Sequence, residues 1–356
     1  MTDFLQLPPY GVPQPQKDRL LADGLAELTR HHRAACPAYD RVLSALGHDR
    51  AAERVEDIPF LPVSLFKSHR LASVPDGEIV KILTSSGTTG QAVSRIVLDR
   101  ETAHRQAQAL AIIMGALLGP ERLPMVLIDS QSLLRDRASV NARAAGVLGM
   151  MPLGRQHFFA LDGEMRLDVE GLRGFLEKFR GQRVLLFGFT YIVWKHFAPA
   201  MAEAGLRFED AILVHSGGWK KLAEEAVDND GFKRAIRERT GIGRIHNFYG
   251  MAEQVGSVFV EGEDGLLYPP AFADIVIRNP LTLRPVPVGE SGVVQVLSLL
   301  PRSYPGHSLL TEDLGRIVHV DGAAPGHCGK GFVIEGRVPR AELRGCSDVA
   351  ARMEEA

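Results

Sequence analysis

Lys81-Ile82-Leu83-Thr84-Ser85-Ser86-Gly87-Thr88-Thr89-Gly90-Gln91-Ala92-Val93-Ser94-Arg95-Ile96-Val97-Leu98 reads as two short strands joined by a loop of hydroxyl side chains and glycine. The strands are predicted over Lys81–Thr84 and Ser94–Leu98, and the loop is Thr84–Gly90. Glycine lets a backbone take positive φ and come close to a ligand. Clustered backbone N–H groups with hydroxyls around them form a cradle for an anion such as phosphate. The common phosphate loop is excluded, because it needs a Lys-Ser/Thr pair leading into a helix. Here the loop carries no lysine and a strand follows it. A flexible polar hairpin is the alternative reading of the loop taken alone.

Outward from this hairpin, a long helix is predicted from about Glu101 to Leu118. Apolar runs at Met125–Ile128, Val184–Phe187 and Ala211–Val214 suit buried strands. Helical segments near 190–204 and 219–239 separate or follow them, a βαβ rhythm that predicts an α/β core with largely parallel sheet. From about Val255 the pattern changes to short strands punctuated by Gly and Pro, at Ser257–Glu261, Ala273–Ile277, Gly292–Val296, Arg316–Val320 and Phe332–Ile334. These predict a more antiparallel, barrel-like subdomain. At the other end, residues 1–16 are Pro-rich and predict an extended arm, and Leu20, Leu21, Leu25 and Leu28 predict an amphipathic helix over Gln16 to about Ala35. The expected organisation is an N-terminal arm and helices over 1–80, an α/β core over 81–254, a β-rich subdomain over 255–335, and a tail over 336–356.

Composition narrows the function classes. The chain has 356 residues, 45% hydrophobic and 24% charged, as in an ordinary globular protein. A net charge of −2 argues against broad electrostatic binding to nucleic acid. No apolar run approaches the ~20 residues that cross a bilayer, and the N-terminus lacks a signal-peptide pattern. The expected location is cytoplasmic. Three cysteines, Cys36, Cys328 and Cys346, do not suggest a disulfide framework.

Three further motifs carry possible chemistry. His215-Ser216-Gly217-Gly218-Trp219-Lys220 follows the strand Ala211–Val214. A glycine pair at the carboxyl end of a strand permits close contact with a planar ligand, and such ends are where α/β sheets bind ligands. His246-Asn247-Phe248-Tyr249-Gly250-Met251-Ala252-Glu253 places an aromatic ring and a carboxylate around a glycine turn. Tyr249 can stack on a base, and Glu253 can reach a Mg²⁺ ion, which takes oxygen ligands. By itself this string is equally a strand end and a capped helix. Finally, Asp313 in Thr311-Glu312-Asp313-Leu314-Gly315 can accept two hydroxyls, and Arg337 in Glu335-Gly336-Arg337 can donate to sugar or phosphate oxygens.

The order of these motifs, over some 250 residues, resembles the adenylate-forming superfamily of acyl- and aryl-CoA ligases, nonribosomal adenylation domains and luciferases. The resemblance runs from Lys81 to Gly345. It implies that 1–335 is an α/β adenylate-forming large domain, built of βαβ subdomains plus a small barrel-like β subdomain. It implies ATP and Mg²⁺ as cofactors. Carried over by position, Thr84, Ser85, Ser86, Gly87, Thr88, Thr89 and Gly90 would bind the triphosphate. Gly217 and Gly218 would line the adenine and acyl pocket, Tyr249 would face the adenine, and Glu253 would ligate Mg²⁺. Asp313 would bind the ribose, with Arg337 beside it. Typical members continue for about a hundred residues past the Gly-Arg hinge into a mobile lid domain with a catalytic lysine; this sequence stops at Ala356, with no room for that lid.

In its place stands Arg344-Gly345-Cys346-Ser347. A thiol of pKa ~8.5 becomes more reactive beside a cation, and its thiolate can attack an acyl-adenylate to give a thioester. The truncated length, the His-Ser-Gly-Gly-Trp-Lys string and this terminal Cys346 resemble the acyl-protein synthetases of the bacterial luminescence fatty-acid reductase complex. That resemblance implies activation of a fatty acid as acyl-AMP, transfer to Cys346, and delivery to an acyl-reductase or another acceptor protein. Other readings stay open at this point. Cys346 can be a packing residue, or a metal ligand with His327 and Cys328, although the spacing lacks a close Cys-x-x-Cys. The chain can be an acyl- or aryl-CoA ligase, a ligase loading a carrier protein, or a non-catalytic acyl-binding protein. His104, His157, His196 and His307 have no partner visible in sequence; His215 and His246 can line the acyl pocket, and Lys220 or Lys221 can assist the first step.

Overall fold

The computed structural model describes residues 4–48, 52–85, 93–134, 142–218, 227–322 and 327–338. Along the chain, β1 (Leu61–Pro62) precedes the hairpin of β2 (Lys81–Thr84) and β3 (Arg95–Leu98). Then come β4 (Leu123–Ser130), β5 (Gly154–Leu161), β6 (Val184–Phe189), β7 (Ala211–Ser216) and β8 (Arg244–Tyr249). Last are β9 (Phe259–Glu261), β10 (Leu267–Tyr268), β11 (Ala273–Arg278), β12 (Ser291–Ser298), β13 (Ser308–Val320) and β14 (Lys330–Arg337). The chain folds into two compact units, one of Met1–Ala116 with Gly250–Ala356 and one of Leu117–Tyr249.

The second unit is the βαβ part. Its strands run in the order β8-β7-β6-β4-β5, and each pairs with its neighbour in parallel. The apolar runs read from the sequence are the centres of β4, β6 and β7, each buried along nearly its whole length. Burial on both faces is what allows such strands to be apolar without alternation. Leu172, Phe175, Phe197, Met201, Phe232 and Ile236 from the crossover helices share one core with Val126, Leu186 and Leu213 of the strands. Two of those helices, Val169–Lys178 and Asn229–Thr240, start at Asp168 and Asp228. Each aspartate side chain accepts a hydrogen bond from the glycine N–H three residues on, satisfying a backbone donor that the first turn leaves open. The helical segment expected near 190–204 is helical, with a π-type stretch at Val193–Phe197. β5 was not anticipated, because it carries the consecutive exposed residues Arg155, Gln156 and His157 and shows no apolar run or alternation at its start.

In the first unit the order is β11-β12-β13-β14-β10-β9, all antiparallel, with β1 added parallel to β13. The helix Gln14–Ala35 buries Leu21, Leu25 and Leu28. It is tied to the sheet by charge as well. Asp274 of β11 is fully buried, and it takes hydrogen bonds from Gln14 Nε2 at 2.7 Å and Lys330 Nζ at 2.9 Å, with Lys17 Nζ at 3.8 Å. Burial acts to raise the Asp274 carboxyl, but the Lys330 and Lys17 ammonium groups outweigh it and hold it below the ordinary range. Burial pulls Lys17 down to about 8 against the attraction of Asp274.

From Phe4 on, the Pro-rich segment expected as an extended arm is packed against its neighbours. Phe4–Gln6 forms a short 3-10 turn, Phe4, Leu5 and Val12 are buried, and Phe4 lies 5.8 Å from Phe272 between ring centroids. Pro9 and Tyr10 carbonyls accept from the backbone N–H groups of Ala271 and Cys328, each at 2.7 Å. An apolar arm without its own helical or strand hydrogen bonds satisfies its carbonyls on a neighbouring segment.

Candidate active site

In the second unit the strands end level. Register pairs Ile128 with Gly188, Gly188 with His215, and His215 with Asn247, so the carboxyl ends of β4, β6, β7 and β8 form one edge. Such edges bind ligands in open α/β sheets, because the connections there leave a crevice and free backbone groups. Gly217 and Gly218 leave β7 at this edge, both exposed, and Tyr249 ends β8 half-buried. Gly217 has φ +89°, a conformation strained for any residue with a Cβ. The glycine at this strand end is therefore needed for backbone geometry as well as for approach.

The same edge holds Asp129 and Thr190, which the sequence did not flag, together with His215, which it did. Asp129, 1% exposed at the end of β4, is gripped by Arg143 through Nε to Oδ2 at 2.7 Å and Nη2 to Oδ1 at 2.5 Å. Although burial works against the charged form, the Asp129 hydrogen bonds and charge raise the Arg143 guanidinium. At the ends of β6 and β7, Thr190 Oγ1 lies 3.0 Å from His215 Nδ1, and His215 Nε2 has no partner among the described residues. Burial, with the nearby Lys233 and His246, brings His215 down to about 3, so it is neutral near pH 7. An aspartate or threonine ending a strand is an ordinary event in sequence, so only their shared edge draws attention to them.

In the first unit, Thr84 and Ser85 stand half-buried where the β2–β3 hairpin closes. Thr84 pairs with Arg95, and the ladder continues one residue further, with Ser94 N–H donating to Ser85 Oγ at 3.0 Å. Ser86, Gly87, Thr88, Thr89 and Gly90 lie outside the described residues, as do Trp219, Lys220, Lys221 and Cys346.

The Thr311–Asp313 segment is mid-strand. Between the pairs Val293–Leu314 and Gln295–Leu310, β13 holds Thr311, Glu312 and Asp313 against Val294 alone. This bulge is pinned by Thr311, whose hydroxyl donates to the Val294 carbonyl at 2.8 Å and accepts from the Asp313 N–H at 3.1 Å. Bulges re-aim side chains at functional sites. Asp313 lies directly opposite Arg337 in the β13–β14 ladder, and Arg337 Nε donates to Asp313 Oδ1 at 3.2 Å. Glu312, beside it, pairs with Arg337 at 3.5 Å and Lys67 at 4.0 Å. The structure thus joins two residues that are 24 positions apart in sequence.

Glu253 sits in the 3-10 turn Ala252–Gln254, 7% exposed. Gln254 Nε2 fastens that turn by donating to the carbonyls of Val296 and Gly306 at 3.2 and 2.9 Å. Gly306 is required there, since a Cβ would stand 2.8 Å from the Glu253 carbonyl oxygen. The Glu253 carboxylate makes no hydrogen bond or ion pair among the described residues. A buried, uncommitted carboxylate is the donor type that a hard cation such as Mg²⁺ takes, so the residue fits the expected metal role. Glu253 stands alone in this, since no group of three or more His, Cys, Asp or Glu placed to hold a metal occurs among the described residues.

Comparison with known proteins bears on both units. Two curated relatives are each called long-chain-fatty-acid–luciferin-component ligase. The one from Vibrio harveyi is 26% identical over 318 residues, 87% of this chain and 81% of its own. The one from Aliivibrio fischeri is 25% identical over 277 residues, 75% of this chain and 71% of its own. Among solved structures, 2-hydroxyisobutyryl-CoA ligase in its postadenylation state, with R3-HIB-AMP, superposes with a TM-score of 0.72 at 20% identity, covering 92% of this chain and 69% of that one. An open conformation of that ligase, with 2-HIB-AMP and CoA, gives 0.71 at 19%, with 92% and 76% covered. These structures show that the chain has the fold of an adenylate-forming ligase. A profile of the family described as acyl-protein synthetase, LuxE, matches residues 3–354, and the chain belongs to that family.

Proposed function

We propose that the protein activates a long-chain fatty acid with ATP as an acyl-adenylate, takes the acyl group onto Cys346 as a thioester, and delivers it to an acceptor protein such as an acyl reductase. The observation that carries this reading is the family match over residues 3–354, which takes in both the Thr84–Gly90 loop and Cys346. The names of the relatives, which specify ligation of a long-chain fatty acid, support the substrate class.

In the first step a carboxylate oxygen of the acid attacks the α-phosphorus of ATP, and pyrophosphate leaves. Positioning and charge neutralisation supply most of the catalysis. Thr84–Gly90 would cradle the leaving phosphates. Asp313 would accept the ribose hydroxyls, with Arg337 fixing its carboxylate from across the ladder. Gly217, Gly218 and Tyr249 would line the acyl and adenine pocket at the strand ends. Glu253 would hold Mg²⁺, which when bound neutralises phosphate charge. In the second step the Cys346 thiolate attacks the acyl carbonyl carbon, a C–S bond forms, and the C–O bond to AMP breaks. No helix among the described residues is long and apolar enough to cross a membrane, and a cytoplasmic supply of ATP suits this chemistry.

Intact-mass analysis after incubation with ATP, Mg²⁺ and a panel of acids tests both steps. The expected product is the protein plus one acyl group, absent in Cys346→Ser, which keeps acid-dependent ATP–pyrophosphate exchange. A Cys346→Ser protein labelled as strongly as wild type would remove Cys346 from the mechanism. AMP release that depends on added CoA would instead favour an acyl-CoA ligase.

A further inference from the structure

The first unit contains a cavity of about 540 Å³ that takes no part in the proposed reaction. Leu46, Ile58, Phe60, Pro62, Leu283 and Pro285 give it apolar walls. Arg278 also lines it. This volume is within the range of small-molecule sites, which combine apolar walls with a few fixed polar groups.

Arg278 is the unusual element. It is 4% exposed and its guanidinium stacks on Phe60, 4.6 Å from the ring centroid. Its three acceptors are all neutral: Gln295 Oε1 at 2.6 Å, the Leu283 carbonyl at 2.8 Å and the Glu56 carbonyl at 2.7 Å. A guanidinium has five N–H groups, so donors remain after these bonds. No carboxylate of the described residues lies in ion-pair range of Arg278. Burial lowers it to about 10, against the more distant Asp57 and Glu56, so it stays charged at neutral pH. Buried charges are ordinarily paired, because removing an ion from water is costly.

The surrounding charge permits an anion. Glu56 and Asp57 are in the wall, but Glu56 is engaged by Arg54 at 3.4 Å, and Arg284 adds a second cation to the lining. The lining thus carries two cations and two carboxylates, one of the carboxylates being engaged outside it by Arg54. We infer that this cavity binds an amphipathic carboxylate, with its acid group on Arg278 and its apolar body against Phe60, Ile58 and Leu283. Phe60 and Leu283 also pack on Val338. The inference rests on the cavity alone and stands apart from the catalytic reading.

The test is equilibrium dialysis of radiolabelled decanoate with the full-length protein and no ATP, with decanol and acetate as competitors. Wild type, Leu46→Trp and Arg278→Gln are compared. Leu46 is 40% exposed at the cavity lip, so a tryptophan there obstructs the cavity without disturbing the core. Decanoate is expected to bind, and Leu46→Trp and Arg278→Gln to weaken binding about tenfold or more, the loss of one charge-assisted hydrogen bond. Decanol should compete about tenfold less well than decanoate, and acetate not at all. Binding unchanged in Leu46→Trp, or decanol competing as well as decanoate, would overturn the assignment. So would the absence of decanoate binding. The Leu46→Trp comparison decides even where Arg278→Gln fails to fold, because it separates this cavity from the acyl pocket, which would also prefer decanoate to decanol.

Discussion

Thr311→Val isolates what the bulge in β13 contributes. The substitution keeps the branched shape and removes one hydroxyl. Thr311 is 2% exposed, so the Val294 carbonyl loses its buried partner and the Asp313 N–H loses its acceptor. Each unsatisfied buried group costs about 1–3 kcal/mol. Asp313 is half-buried, so water can recover part of its share, and a total of about 2–3 kcal/mol is expected. In a unit of roughly 220 residues this lowers the unfolding midpoint by about 4–12 °C. Thr311→Ser keeps both hydrogen bonds and should cost less than about 1 kcal/mol. Denaturant unfolding of the two variants measures the difference directly. The functional readout is the KM for ATP in pyrophosphate exchange. Thr311→Val should raise it, because the bulge no longer holds Asp313 opposite Arg337, and Asp313→Asn should raise it about ten- to a hundredfold by weakening bonds to the ribose. If Thr311→Val matched Thr311→Ser in both stability and KM, the bulge would have no part in presenting Asp313.

Asp274→Ala should destabilise by about 3–5 kcal/mol, since it leaves the buried Lys17 without a counter-charge; adding Lys17→Met should recover part of that loss in denaturant unfolding, and a cost under ~1 kcal/mol would exclude the network as an anchor of the first helix. Acid should destabilise the fold through His215 and His307, both brought down to about 3, His307 by burial and then by His31. The unfolded chain takes up these protons near pH 6.5 and the folded chain does not, so their contribution is intact above about pH 6.5 and is lost as pH falls toward about 3. At pH 5 the loss is about 2 kcal/mol per histidine, measurable as the fall in unfolding free energy between pH 7 and pH 5, and it should shrink by that amount in His307→Gln.

Much of the architecture was legible because local chemistry and tertiary role coincide. The runs 125–128, 184–187 and 211–214 are apolar on both faces, which suits strands buried on both sides of a parallel sheet. The chain beyond Val255 announced its antiparallel ladders through short runs and turn residues. β5 was missed because its polar residues hide its partner, and the start of β13 at Ser308 was missed because the bulge at Thr311–Asp313 interrupts any alternation. His307 showed no partner in sequence. In the fold its Nε2 donates to Thr29 Oγ1 at 3.0 Å, since the Thr29 hydroxyl proton is already given to Leu25, and its ring stacks on His32 at 4.9 Å. Those partners are more than 270 residues away, beyond any local pattern.

By itself, the sequence determined the kinds of group available and their order: hydroxyls and glycine in Thr84–Gly90, a glycine pair after β7, Tyr249 before Glu253, Asp313 before Arg337, and a thiol at Cys346. Only the tertiary structure decided which of them meet. Asp313 faces Arg337 because a three-against-one bulge and an antiparallel ladder set their register, and register is a property of two strands. Asp129 gains its arginine, and Arg278 remains without a carboxylate among the described residues, for the same reason: burial and pairing are fixed by what packs around a side chain, and neighbours in space are not neighbours in the chain.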